Sequence, residues 1–390
     1  MSTLDLGPLS LARGGHLALR RALGALGDGE SLRLCGAEPD LLVHARGLAR
    51  RWGCAFRGEG TDAILGPPTA GRWRGAERAG QPGPSGVVAH PSPRWGLAAR
   101  GAAVETGAPS FHFALDERDE LWSDEAGRLY LQAAAAQWDP ATIVDWAQPI
   151  ELPEEVEDAV VQLMTFLIEN ETAALLVPAR FCAQVHPHFR EVMQVLAIQA
   201  ADEARHIEVF TRRALLRRPA PGLSTAGGQA SLQTLVEEPE FAMASFLLSV
   251  LGEGSFLSLL RFLDQHAPDP ITATICRLSA TDEARHVAFG LSHLERHAAH
   301  DPSLLDRLAA AVEARHGALA HTAGLNEEVF DALVLIAAGG WATADLQRGW
   351  DAVVALQLEM NAGRRVRLRR LGFSEDEAAR LSGLHTRNFM

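Results

Sequence analysis

The sequence predicts a mainly α protein, a four-helix bundle with extra C-terminal helices, preceded by a small α/β domain. Three observations predict it. The string Asp-Glu-Ala-Arg-His occurs twice, at 202–206 and at 282–286. Apolar residues at helical spacing fill most of the chain from about residue 150 onward. The first sixty residues instead alternate short apolar runs with helical patterns, the mark of a small mixed sheet.

In chain order, Leu4–Leu6 reads as a strand, and a helical pattern follows through Leu17, Leu19, Ala22, Leu23 and Leu26. Gly27-Asp28-Gly29 ends that helix, Ser31–Cys35 reads as a strand, and Pro39 opens a second helix carrying Leu41, Leu42, Ala45 and Leu48. Cys54–Phe56 is a further strand. The Gly-Glu-Ser-Leu-Arg-Leu run, the Glu38-Pro39 helix start and the Arg-Trp-Gly-Cys-Ala-Phe ending make residues 4–57 resemble sulfur-carrier domains of the TusA type. That family carries sulfur on a Cys-Pro-x-Pro cysteine before its first helix. The positions matching it, Ala12, Arg13 and Gly15 among them, hold no nucleophile, so the resemblance implies docking or dimerisation rather than sulfur transfer. Gly66-Pro67-Pro68 and Gly80-Gln81-Pro82-Gly83-Pro84 read as loop punctuation. Gly86–Ala89, Phe111–Leu115 and Arg128–Leu131 read as short strands, which extends the N-terminal module over residues 1–135.

The bundle is expected over residues 150–300. Its first helix runs from about Pro153 to Pro178, with Glu154, Glu155 and Glu157 favouring its positive end. Glu171 falls on the apolar face with Ile168 and Leu175, whereas Glu169 points elsewhere. The second helix, about 188–217, carries the first repeated string, and Arg218–Ser231 is a long crossover. The third, from about Pro239 to Gln265, has Glu253 as the only carboxylate on a face of Phe246, Val250, Phe256, Leu257 and Leu260. A carboxylate buried ionised and alone is costly, so it needs a partner. The fourth helix, about 270–299, carries the second string. Within each string Glu and His are three residues apart, which places both side chains on one helical face, about 5–6 Å apart. A lone Glu-x-x-His is common on charged helices; two identical copies flanked by Glu171 and Glu253 are not. Di-metal carboxylate bundles use two such pairs and one Glu from each of two other helices. The expected metal ligands are therefore Glu171, Glu203, His206, Glu253, Glu283 and His286.

With that ligand order, residues 150–300 resemble the ferritin-like di-iron carboxylate oxygenases. The doubled Asp-Glu-x-Arg-His is similar to the hydroxylase subunit of bacterial multicomponent monooxygenases. The resemblance implies that Asp202 and Asp282 support His286 and His206 across the bundle, with Arg205 and Arg285 balancing their charge. It implies two iron ions (Fe2+/Fe3+), or a Mn/Fe pair, with dioxygen as co-substrate. It also implies oxidation of a small organic substrate through a peroxo species. An iron-handling or scaffold protein is the alternative. Three departures narrow the likeness. Leu257 stands where those hydroxylases carry a Thr one turn after the third-helix Glu, with Ser255 and Ser258 close by. The one tyrosine, Tyr130, lies upstream of the bundle, against a tyrosyl-radical role. Ser279 occupies the position of the additional His of arylamine N-oxygenases.

Composition sets the remaining bounds. The net charge of −13 argues against nucleic acid as a main partner. The basic run Arg364, Arg365, Arg367, Arg369 and Arg370 reads as a solvated or carboxylate-pairing helix face. No uninterrupted apolar stretch of membrane-spanning length and no signal peptide is read, and four scattered cysteines suit a reducing cytoplasm. Cys276 is expected near the metal pocket, while His186, His188, His293, His297 and His300 read as structural. No nucleotide fingerprint is present, so electrons are expected from an external reductase or from the substrate. The C-terminal part, residues 301–390, reads as helices over Pro302–Leu319, Glu327–Ala338, Trp341–Met360 and from Ser374, packing on the bundle or forming a homodimer interface.

Overall fold

The mixed sheet of the N-terminal part is built from β1 (Ser2–Asp5), β2 (Leu32–Cys35), β3 (Cys54–Glu59) and β4 (Asp62–Pro68), with α1 (Gly15–Gly24) and α2 (Leu41–Trp52) between the early strands. The structure is a computed structural model and describes residues 1–68, 75–319 and 327–385. Strand order is β1-β2-β4-β3; β1 and β2 are parallel, and β4 runs antiparallel to both its neighbours. Its core is Leu19, Leu23, Leu34, Leu41, Ala45 and Leu65. β4 is absent from the sequence expectation. Gly66-Pro67-Pro68 reads as loop, yet it ends this strand, where the missing proline N–H groups fall at the end of the ladder. Only Ala63-Ile64-Leu65 marks the strand in sequence.

Two further strands, β5 (Glu77–Arg78) and β6 (Ala103–Val104), pair antiparallel. The chain forms two compact units, Met1–Gly86 with Ser92–Phe111, and Val87–Pro91 with His112–Met390. Residues 112–135, assigned to the N-terminal module on sequence, thus sit in the second unit. The strands expected at Gly86–Ala89 and Phe111–Leu115 do not form; Leu115 makes one parallel bridge to Val185. Arg128–Leu131 is helical. After α3 (Arg118–Leu121), it lies in α4 (Ala126–Ala135), where Ala126, Leu129 and Ala133 bury one face at helical spacing. A short α5 (Pro140–Ile143) leads to the bundle.

The bundle helices are α6 (Glu154–Cys182), α7 (Arg190–Ala214), a third made of α9 (Phe241–Ser245), a π-helical stretch Phe246–Glu253 and α10 (Gly254–His266), and α11 (Pro270–His300). The crossover contains α8 (Ala226–Val236), capped by the Thr225 hydroxyl. α6 packs on α7, α10 on α11, and α7 against α11. Asp269 caps α11 by accepting from the Thr272 N–H, with Pro270 at the first helical position. α6 continues past the expected stop at Pro178, which lies within its last turns. By length and composition α6 and Phe241–His266 could each cross a membrane, but 67% and 89% of their apolar windows are buried inside the protein.

A buried ion network ties three helix ends together. Arg213 of α7 donates two bonds to Glu157 of α6 (2.8 and 3.0 Å) and two to Asp269 (2.9 and 3.3 Å), all three residues being buried. Outside the four-helix core lie α12 (Leu304–Leu319), α13 (Glu327–Ala338), α14 (Thr343–Leu371) and α15 (Glu375–Leu384), the last capped by Ser374. The basic run of α14 divides. Arg365 and Arg369 pair with Glu375 and Arg370 with Glu295, as a carboxylate-pairing face would. Arg364 and Arg367 instead turn inward, correcting the solvated reading for those two.

Candidate metal centre

All six expected ligands converge. Glu171 comes from α6, Glu203 and His206 from α7, Glu253 from the end of the π-helical stretch, and Glu283 and His286 from α11. Each is buried, none more than 4% exposed. Their donor atoms form two groups, Glu171/Glu203/His206/Glu283 and Glu203/Glu253/Glu283/His286, each within 4.8 Å. Glu203 and Glu283 belong to both, so two metal ions can be held with these carboxylates shared. His206 Nδ1 lies 3.1 Å from Glu203, 3.4 Å from Glu171 and 3.4 Å from Glu283. His286 Nδ1 lies 3.0 Å from Glu203, 3.4 Å from Glu283 and 3.8 Å from Glu253.

The donor set fits cations. Glu171 Oε1, Glu253 Oε2 and both Glu283 oxygens are buried without a hydrogen-bond partner among the described residues. Buried polar atoms are rarely left so, and here they belong to residues of the two ligand groups. Four carboxylates with two neutral imidazoles leave four negative charges for two divalent ions to neutralise. In the protein without metal the strain shows in the titrations. Burial, then the charges of Glu203 and Glu283, push the Glu171 carboxyl well above its usual range; burial and Glu283 do the same to Glu253. Burial opposes the charged form of Glu203 too, but His286 and His206 overcome it and hold that carboxyl low. Burial likewise disfavours both imidazolium ions, yet Glu171 raises His206 and Glu203 raises His286 well above the ordinary value.

Support comes across the bundle. His206 Nε2 lies 3.2 Å from Asp282 Oδ2, and His286 Nε2 lies 3.3 Å from Asp202 Oδ2. Donation from Nε2–H to these carboxylates leaves each Nδ1 lone pair facing the glutamates, the tautomer a ligand requires. Arg205 donates to Asp202 (2.5 Å) and Asp282 (2.9 Å), and Arg285 pairs with Asp282. The Asp and Arg residues of both repeats are thus buried or nearly so and tied to the histidines.

Three further residues join this shell without having been expected there. Trp138 Nε1 donates to Asp282 (2.8 Å), and its ring stacks on His206 with Arg205 over its face. Gln137 donates to Asp202 (2.8 Å) and accepts from Arg205 (2.6 Å). Gln199 donates to Glu253 (2.8 Å). Gln199 stands four residues before Glu203, so its helical phase could have disclosed it. Gln137 and Trp138 precede the bundle helices and carry no such signal.

The third helix reaches Glu253 through π-helical turns, a geometry that recurs at functional sites. α11 approaches it closely at Gly290, where a Cβ would lie 2.4 Å from the Ser249 Cβ. Leu257 is half-buried, and the nearby hydroxyls are committed elsewhere: Ser255 donates to the Leu251 carbonyl and Ser258 to Glu359. Cys276 is buried, its thiol pushed up by burial, and it does not line the cavity beside the ligands. His293 bonds Ser245 (2.7 Å) between the rings of Phe241 and Phe289, a structural role; burial lowers its imidazole to about 3. His186 and His188 accept backbone N–H groups of His188 and Val88. The cavity lies against Glu171, Glu253 and Glu283, with Leu247, Leu248 and Phe256 among its apolar walls.

Fold and ligand set together define a helical bundle of the di-metal carboxylate type. No family model and no curated protein matches the chain. Among solved structures, an R2-like ligand-binding oxidase with aerobically reconstituted Mn/Fe cofactor is 19% identical, covering 65% of this chain and 94% of that one at a TM-score of 0.48. A point mutant of an R2-like ligand-binding oxidase, likewise with Mn/Fe cofactor, is 16% identical (65% and 95% covered, TM-score 0.47). The R2-like ligand-binding oxidase from Sulfolobus acidocaldarius is 17% identical (65% and 93%, TM-score 0.42). At that distance the likeness does not carry an activity to this chain.

Proposed function

We propose that this chain is a non-haem di-metal oxidoreductase, an oxidase or oxygenase that uses dioxygen to oxidise a small organic substrate. The observation that carries the reading is the pair of metal-holding groups sharing Glu203 and Glu283, buried beside an apolar cavity. Carboxylate oxygens with imidazole suit iron or manganese, so two irons or a Mn/Fe pair is the expected load. Held by these six residues, two such ions would supply redox chemistry with dioxygen, the remaining electrons coming from the substrate or an external reductase. The chain's own residues hold and orient the centre: Asp202 and Asp282 fix the imidazoles, and Gln199 fixes Glu253. The apolar walls exclude water from the oxidising site. A cytoplasmic setting and a homodimer belong to the same reading.

Oxygen uptake by the anaerobically iron-loaded protein tests it. Uptake that depends on an added organic substrate and disappears in His286→Ala supports an oxidase. Uptake that follows ferrous iron alone, leaving stored ferric iron, would identify an iron-handling protein instead.

A further inference from the structure

The C-terminal helices bury positive charge that no described residue neutralises. Arg315 of α12 is 7% exposed, Arg364 of α14 is 7% exposed, and His385, just after α15, is 9% exposed. Arg367 packs beside them, its guanidinium against Gly254, the residue that follows the ligand Glu253. Among the described residues these four groups make no ion pair. Arg315 donates to Ser231 Oγ (2.8 Å), Arg364 to Ser382 (3.2 Å) and Ser255 (3.3 Å), and Arg367 to the Val250 carbonyl (2.6 Å). All these partners are neutral. Arg367 Nη2 and His385 Nε2 are buried with no hydrogen-bond partner among the described residues. The four share one field: burial, then Arg364, Arg315 and Arg367, hold the His385 imidazole well below its ordinary value. Burial pulls the Arg315 and Arg364 guanidiniums down to about 10.

Buried arginines are normally paired, because a desolvated guanidinium without a counter-charge is destabilising. Elsewhere in this same fold that is done: Arg213, fully buried, has both Glu157 and Asp269. The exception is located where it can act, since Arg315 lines the cavity that also touches Glu171, Glu253 and Glu283. The walls between are apolar, with Leu235, Leu247, Leu248 and Phe256 among them. A guanidinium, once turned from Ser231 toward the cavity that Arg315 lines, matches a carboxylate in charge and in planar two-point geometry.

We infer that Arg315, backed by the positive field of Arg364, Arg367 and His385, binds the carboxylate of an apolar-bodied carboxylic acid whose body points along the cavity toward the metal ligands. This deepens the proposed function, and rests on it for calling that acid the substrate. The cavity measures about 20 Å³, room for roughly one water, so the acid enters by parting its walls. The π-helical stretch, which contributes Leu247, Leu248 and Gly252, is the wall adjoining Glu253.

Calorimetric titration of the metal-loaded protein under anaerobic conditions tests this, with hexanoate and phenylacetate as probes and hexanamide and phenylacetamide as neutral counterparts. The acids should bind and the amides should bind roughly 10- to 100-fold more weakly, the range of a charge-assisted hydrogen-bond pair. Arg315→Met should lose the same factor for the acids while its Tm is unchanged or higher, because an unpaired buried charge has been removed. A purely structural Arg315 would show the opposite, a lower Tm. Equal affinity for acid and amide, unchanged acid binding in Arg315→Met, or binding of inorganic phosphate in place of the acids would each overturn the inference. Since binding is read without turnover, acids that bind but are never oxidised would leave the anion site standing and remove only their assignment as substrate.

Discussion

His206 on α7 and Asp282 on α11, 76 positions apart in sequence, meet at 3.2 Å between Nε2 and Oδ2, on the far side of the imidazole from the glutamates. The second repeat returns the arrangement, Asp202 meeting His286 at 3.3 Å. Each repeat thus orients the other's histidine.

Asp282→Asn should therefore weaken metal binding rather than abolish it. An amide can present its NH2 to Nε2 and favour the wrong tautomer, and loss of such supporting carboxylates typically costs about 10- to 100-fold in metal affinity. Competitive titration against a chelator measures it. Affinity equal to that of the unaltered protein would show that Asp282 does not orient His206.

The metal-free protein should lose stability as pH rises. Glu171 and Glu253 carry folded-state values raised well above 4.5, and His206 and His286 values raised well above 6.5. For all four the folded chain holds more protons than the unfolded one above those reference values, so stability declines as pH climbs from about 4.5 through the neutral range. Asp202, Asp282 and Glu203 are lowered and act in the other direction only below their reference values of 3.8 and 4.5, and the buried His293, His297 and His385, lowered from 6.5, oppose the decline only below about 6.5. Bound metal takes the place of the protons, so ferrous or manganous loading should flatten the decline. Thermal melts over about pH 7–9, above the reference value of the depressed histidines, with and without metal, give the answer. A metal-free Tm that rises across that range would contradict it.

Arg213→Ala should destabilise the fold by about 3–5 kcal/mol, because Glu157 and Asp269 would remain buried without their partner. Denaturant unfolding reads the loss. A change below about 1 kcal/mol would mean the network behaves like an exposed ion pair.

Gly290→Ala should cost about 1–3 kcal/mol, since the new Cβ would sit 2.4 Å from the Ser249 Cβ. Metal content should fall with it, because the displaced segment is the π-helical stretch that ends in Glu253. Unchanged stability and metal content would show that α11 can move away freely.

How much of this was legible in the sequence follows from the range of each interaction. Glu203, His206, Glu283 and His286 were fixed by spacing within single helices, and Glu171 and Glu253 by their phase on apolar faces. The π-helical turns at Phe246–Glu253 were not legible, since five of the eight residues are large and apolar and they show no preference between helical periods. Trp138 and Gln137 were invisible because only tertiary packing brings them to Asp282 and Asp202. The inward turn of Arg364 and Arg367 was hidden by their neighbours Arg365, Arg369 and Arg370, which do face outward and pair. In β4 the prolines masked a strand whose apolar run is three residues long.

The central claim is that the two ligand groups hold two metal ions with Glu203 shared between them. Elemental analysis after anaerobic loading with ferrous iron, followed by removal of loosely held metal, tests it most directly. The account predicts close to two irons per chain in the unaltered protein and loss of both in Glu203→Ala. Close to zero in the unaltered protein, or two retained in Glu203→Ala, would contradict it.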